Sequence, residues 1–160
     1  MPSMRNPASE RALRELVAKQ EIALNLALHS RGVDRGDYPM LRSAYHADAD
    51  FSYGAPAMAL IRGLADSQKK LPGTLHRTSN MWIRLTGEAT AVSESYVIAH
   101  LETSEAGQST QRLIGGRYLD KHTQEDGAWR LMRRTYLLEW NVNQPSSGTW
   151  PETSGAMFAP

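Results

Sequence analysis

The sequence predicts an α+β fold in which three N-terminal helices pack on one face of a strongly bent, mostly antiparallel sheet. Apolar residues recur at helical spacing up to about Leu71, and beyond it the period changes. From Thr74 onward four long segments are rich in Val, Ile, Thr, Tyr and Trp. Short turn-forming stretches separate them: Thr86-Gly87-Glu88, Ser104-Glu105-Ala106-Gly107 and Glu125-Asp126-Gly127. Such stretches make hairpins between antiparallel neighbours. Helices first and a meander of strands afterwards places the helices together over one sheet, and a bent sheet closed by helices leaves a cone whose mouth can hold a ligand.

The first helix, expected over residues 7 to 30, opens with Asn6 as N-cap and Pro7 at the first helical position. Leu13, Leu16, Val17, Gln20, Leu24, Ala27 and Leu28 give its periodicity, and Gly32 and Gly36 are expected to break it. Asp37 can cap a short second helix carrying Met40, Leu41, Ala44 and Tyr45. Ala49 to Tyr53 reads as a brief strand, and Arg62 to Leu71 as a third helix stopped by Pro72-Gly73. The strands follow at Thr74 to Leu85, Ala89 to Glu102, Ser109 to His122 and Ala128 to Asn141.

With 160 residues the chain has the size of one domain, expected over 1–142, with an extended Pro-, Ser-, Gly- and Thr-rich tail over 143–160. The 18 Lys and Arg against 17 Asp and Glu leave a net charge of +1, and no basic run suggests a nucleic-acid partner. The absence of cysteine excludes disulfides and thiolate chemistry, and no Cys/His cluster suggests a metal site. The N-terminal residues show no secretory pattern and no apolar stretch approaches membrane-spanning length, so a soluble, cytoplasmic protein without a membrane partner is expected.

Two polar stretches stand out. Leu75-His76-Arg77-Thr78-Ser79-Asn80-Met81-Trp82 carries a histidine into the first long strand, and His29-Ser30-Arg31-Gly32-Val33-Asp34-Arg35-Gly36-Asp37 joins two helices. A histidine with a carboxylate is the minimum equipment for moving a proton near neutral pH. His76 and Asp34 are therefore expected to meet in a pocket. On the last strand, two-residue alternation puts Met132, Arg134, Tyr136 and Leu138 on one face, with Leu131, Arg133, Thr135 and Leu137 on the other. An arginine among Met, Tyr and Leu is either paired in the core or directed at a ligand. Tyr53 and Tyr96 could place hydroxyls in the cone, whereas Trp82, Trp129, Trp140, Met58 and Met132 read first as packing and second as pocket wall. His46 and Asp48 read as structural, and His100 and His122 as exposed.

The chain resembles the SnoaL-like branch of the nuclear transport factor 2-like superfamily. The resemblance rests on Val33-Asp34-Arg35-Gly36-Asp37, Tyr45-His46-Ala47-Asp48-Ala49, Leu75-His76-Arg77-Thr78-Ser79-Asn80, Gly115-Gly116-Arg117-Tyr118-Leu119-Asp120 and Asp126-Gly127-Ala128-Trp129-Arg130. It implies a cone-shaped α+β barrel, often trimeric, with an Asp-His dyad inside. Carried over by position, Asp34 is the dyad carboxylate, His76 the base, and Arg134 an arginine of the family's lyases. His29 stands where those lyases carry a lysine or tyrosine that assists the leaving group.

A carboxylate bonded to one imidazole nitrogen fixes the tautomer and leaves the other nitrogen free to accept a proton. No Gly-rich phosphate loop or nucleophile elbow accompanies it, so no cofactor is expected. These residues suit a cofactor-independent lyase, a dehydratase or another β-elimination or retro-aldol enzyme, acting on a small hydrophobic ring compound. Asp34, His76, Arg134 and His29 would carry the chemistry, and Tyr53, Tyr96, Trp82, Met132 and Tyr136 would contact the substrate. An isomerase or cyclase, or a binding module without catalysis, would use the same fold.

Overall fold

The computed structural model describes residues 6–51, 57–105 and 108–145. Helix α1 (Pro7–Asp34) is followed by α2 (Tyr38–Ser43), β1 (Tyr45–Phe51), α3 (Ala57–Gln68), β2 (Gly73–Leu85), β3 (Thr90–Glu105), β4 (Gln108–Glu125) and β5 (Ala128–Pro145). Among the described residues the strands form one open, curved sheet of order β1-β5-β4-β3-β2, antiparallel except for the parallel β1–β5 pair. The α+β class and the bent, mostly antiparallel sheet thus match expectation, whereas the sheet is not closed into a full barrel. No described helix is long and apolar enough to cross a membrane. Tyr53 and the tail from residue 146 lie outside the described residues.

Asn6 caps α1 by accepting the Ala8 N–H at 3.0 Å, and Pro7 takes the first turn. The helix does not stop at Gly32, as its glycine suggested, but continues to Asp34. Gly32 serves packing instead: a Cβ there would lie 2.8 Å from the Leu41 backbone nitrogen, so its absence lets α2 approach α1. The stop comes at Gly36, whose φ of +58° closes the helix while Gly36 N–H bonds the Val33 carbonyl and Asp37 N–H the Gly32 carbonyl. Asp37 then caps α2 through the Met40 N–H at 2.9 Å.

The apolar stripe read for α1 faces the wrong way. Its buried side is Ala18, Ile22, Leu26 and Val33 with the polar Asn25, His29 and Ser30, while Leu13, Leu16, Val17 and Leu24 are exposed. Both faces of this helix are rich in leucine and alanine, so periodicity alone did not choose between them. The buried side packs with Leu41, Tyr45, Ala49, Ile61, Trp129 and Leu131 into a core beneath the β1–β5 edge. The Asp126-Gly127 turn has φ of 51° and 76°, the two-residue geometry that matches strand twist, and it aligns Glu125 with Ala128.

One register detail decides the site. Lys121 pairs with Arg133 but His122 with Leu131, so Met132 is the extra residue of a bulge. Leu131 and Arg134 consequently both turn inward and are buried, which the simple alternation had split. Met132 is shifted out of Arg134's row.

Candidate active site

Asp34 is the last residue of α1, and β2 passes directly beside it. Its carboxylate accepts the His76 backbone N–H, with both oxygens at 3.0 Å, and the Thr74 hydroxyl at 3.3 Å. Oδ1 lies 2.7 Å from His76 Nδ1, and both side chains are largely covered. The carboxylate is thus tied to the strand backbone as well as to the ring. A ring that donates Nδ1–H to a carboxylate carries its lone pair on Nε2. Ser30 and Thr78, whose hydroxyls are 2.9 Å apart, pin the same helix to the same strand.

His76 lines a cavity of about 580 Å³ enclosed by α1, α3 and the inner face of the sheet, within the usual range for small-molecule sites. Leu64 of α3, Val97, Ala99 and Leu101 of β3, Ile114 of β4 and Leu138 of β5 make its apolar wall. His29, Tyr118 and Tyr136 add aromatic edges, and Gln68, Arg112, Asn141 and Asn143 add polar ones. A groove of about 1080 Å³ between the first half of α1 and the β2–β3 turn is larger, but charged residues such as Arg11, Glu15, Arg84 and Glu88 line it and no histidine does. The smaller cavity is the one that His29 and His76 line.

Beside it lies a buried polar cluster. Arg134 Nε and Nη2 each donate to Asp120 at 2.8 Å, a two-pronged pair with both side chains at 1% exposure or less. The guanidinium also stacks 3.8 Å from the centre of the Tyr118 ring. Burial alone would lower the arginine's pKa, but Asp120 outweighs it and holds the charge firmly on. Tyr45 Oη and His29 Nδ1 are 3.0 Å apart in the same interior. Burial keeps the Tyr45 phenol protonated. Burial, then the charge of Arg134, then His76 hold the His29 pKa well below the ordinary imidazole range, so this ring is neutral near pH 7. A protonated phenol that donates to Nδ1 leaves the proton of a neutral imidazole on Nε2.

The structure therefore brings together Asp34, His76, His29 and Tyr136. Arg134 does not line the cavity: it lies behind Tyr118, locked to Asp120, so the direct ligand contact expected of it gives way to a core ion pair. Tyr96 and Trp82 are corrected outright. Val97 and Ala99 point into the cavity, so Tyr96 must point out by alternation, and it is 47% exposed. Trp82, opposite Glu94, stands 56% exposed on that outer face. Met132 sits in the bulge, away from the cavity lining. His122 is not exposed but buried against Ser93, whereas His100 meets Arg77. Sequence reasoning missed Tyr45, Tyr118 and Asp120. Alternation within Gly116-Arg117-Tyr118-Leu119-Asp120 put Tyr118 and Asp120 on one face, and that signal could have been followed.

With this geometry established, the comparisons define the class. The chain belongs to the SnoaL-like domain family, whose model matches residues 14–135. Among solved structures it is similar to a protein named as a candidate scytalone dehydratase from Novosphingobium aromaticivorans, at 21% identity over 90% of this chain and 99% of that one, with a TM-score of 0.74. A type 2 hexachlorocyclohexane dehydrochlorinase, LinA, aligns at 19% identity over 90% and 99% of the two chains, TM-score 0.72. The type 3 enzyme of Novosphingobium barchaimii aligns at 18% over 86% and 96%, TM-score 0.71. At these identities the likeness establishes the fold. No curated protein matches the chain.

Proposed function

We propose that the protein is a cofactor-independent lyase that eliminates water, halide or a comparable group from a small, largely apolar ring compound. The observation that carries this reading is the 2.7 Å contact between Asp34 and His76 Nδ1, with His76 on the wall of an otherwise apolar cavity. His76 Nε2 takes a proton from carbon, the C–H electrons form the new double bond, and the bond to the leaving group breaks. Asp34 holds the ring and stabilises the imidazolium that forms. His29, fixed by Tyr45 as an Nε2–H donor, bonds the departing group as negative charge develops on it. Arg134, through its stacking on Tyr118 and its pair with Asp120, keeps that wall in place. The structural neighbours named for loss of water and of hydrogen chloride support elimination as the reaction type.

The test is a screen of ring-bearing alcohols, diols and halides by mass change, run with wild type and His76→Ala. The reading expects a product lighter by the eliminated molecule with wild type alone. A general base typically supplies about 10²- to 10⁴-fold, so His76→Ala should lose that much. A product of unchanged mass would mark an isomerase instead.

We also propose that the outer face of the sheet assembles copies of the chain into a trimer. Trp82, Tyr96, Trp140 and Val142 stand 43% to 56% exposed there, around the Arg117 pairs with Glu94 and Glu139.

A further inference from the structure

The polar groups of the cavity are segregated. Arg112 and Asn143 face each other across β4 and β5, and Ile114 and Asn141 form the next inward pair. Ile114 in turn shares a cross-strand row with Ala99 and His76. Arg112 therefore lies two strands over and one inward-facing step along from His76, roughly 12 Å away by ordinary strand and residue spacings. Leu101, Ala99 and Ile114 line the wall between them. None of the ion pairs among the described residues includes Arg112. Gln68, across the cavity on α3, has a buried Oε1 with no hydrogen-bond partner among the described residues. An amide can present either its acceptor or its donors by a half-turn. The cavity thus has an acid/base end, an apolar middle and, opposite, a cation with no ion pair among the described residues, flanked by carboxamides.

Resting on the lyase reading of this cavity, we infer that the substrate is amphipathic: an apolar ring system carrying a carboxylate at the end remote from the carbon that loses its proton. A guanidinium binds a carboxylate through two parallel N–H donors, and Asn141 and Asn143 can add amide N–H groups. The carboxylate anchors one end so that the opposite end is presented to His76.

The experiment is calorimetric titration of the full chain with 2-naphthoate and with its neutral counterpart 2-naphthamide. Wild type is expected to bind the carboxylate at least tenfold more tightly than the amide. Arg112→Gln should abolish that preference while leaving amide affinity unchanged, and Arg112→Lys should restore part of it. Arg112 is exposed, so these substitutions leave the core intact. The preference should persist in His76→Ala, which separates the anion subsite from catalysis: the subsite stands if Arg112-dependent binding is seen without turnover. Equal affinity for the two probes, no binding of 2-naphthoate at millimolar concentration, or a preference that survives Arg112→Gln would overturn the inference.

Discussion

His122 shows what burial does to a single titratable side chain. It is 2% exposed, hydrogen-bonded to Ser93, and beside the Asp120–Arg134 pair. Burial lowers its pKa from 6.5 to about 4; Asp120 opposes that shift and Arg134 adds to it. The unfolded chain then takes up a proton before the folded one does. The stability associated with neutral His122 is fully present above about pH 6.5 and is lost as pH falls toward 4, by on the order of 3 kcal/mol. The low pKa of His29 acts in the same direction. Urea unfolding between pH 7.5 and 4.5 should show this decline, and His122→Gln should make it shallower. An unchanged slope in the variant would remove His122 from the explanation. Residue chemistry made His76 and Asp34 conspicuous in the sequence because both are polar groups set in positional motifs. Burial of His122 left no such mark, since a histidine late in a strand looks the same whichever face it takes.

Among the elements, α1 does most to position the site, because its last turn carries Asp34 to β2 and the turn before it carries His29 to Tyr45. That placement depends on the close approach of α2 at Gly32. Gly32→Ala puts a methyl against Leu41 backbone that cannot rotate away, and should cost about 1 to 3 kcal/mol of stability. Gly63→Ala, on α3 with nothing within 4 Å of the added carbon, should instead stabilise by roughly 0.5 to 1 kcal/mol. Chemical denaturation of the two variants separates packing from helix propensity; equal effects would show that the α1–α2 contact is not specific. The same elements mark the limit of reading by period. The two-residue alternation of β5 holds from Arg133 to Leu138, but the bulge at Met132 has no sequence signature, so the alternation puts Leu131 on the wrong face. In α1 the helix itself was evident, whereas its buried side is chosen by the sheet.

At the level of the whole molecule, the sheet separates two unlike surfaces. Its inner face joins residues from α1, α3 and β2 through β5 into one cavity, and its outer face leaves aromatic residues without cover. Sedimentation of the wild type should show a trimer, and Trp82→Lys with Tyr96→Lys should dissociate it; a wild type that sediments as a monomer would remove the outer face as an interface. The fold class could be read from the change of period near residue 73, because it depends on many residues at once. The site could be read only where local motifs carried it; its wall, from Val97 to Asn143, is defined by strand register that no local pattern contains.

In the proposed mechanism Asp34 and His76 act as one catalytic unit. A double-mutant cycle on kcat/KM, using a substrate found by the mass screen with His76→Ala, Asp34→Asn and the combined variant, tests it most directly. Groups that work as a unit lose nearly everything once either is removed. The combined variant should therefore be no slower than His76→Ala, itself about 10²- to 10⁴-fold below wild type. Turnover by His76→Ala within tenfold of wild type, or losses that multiply in the combined variant, would contradict it.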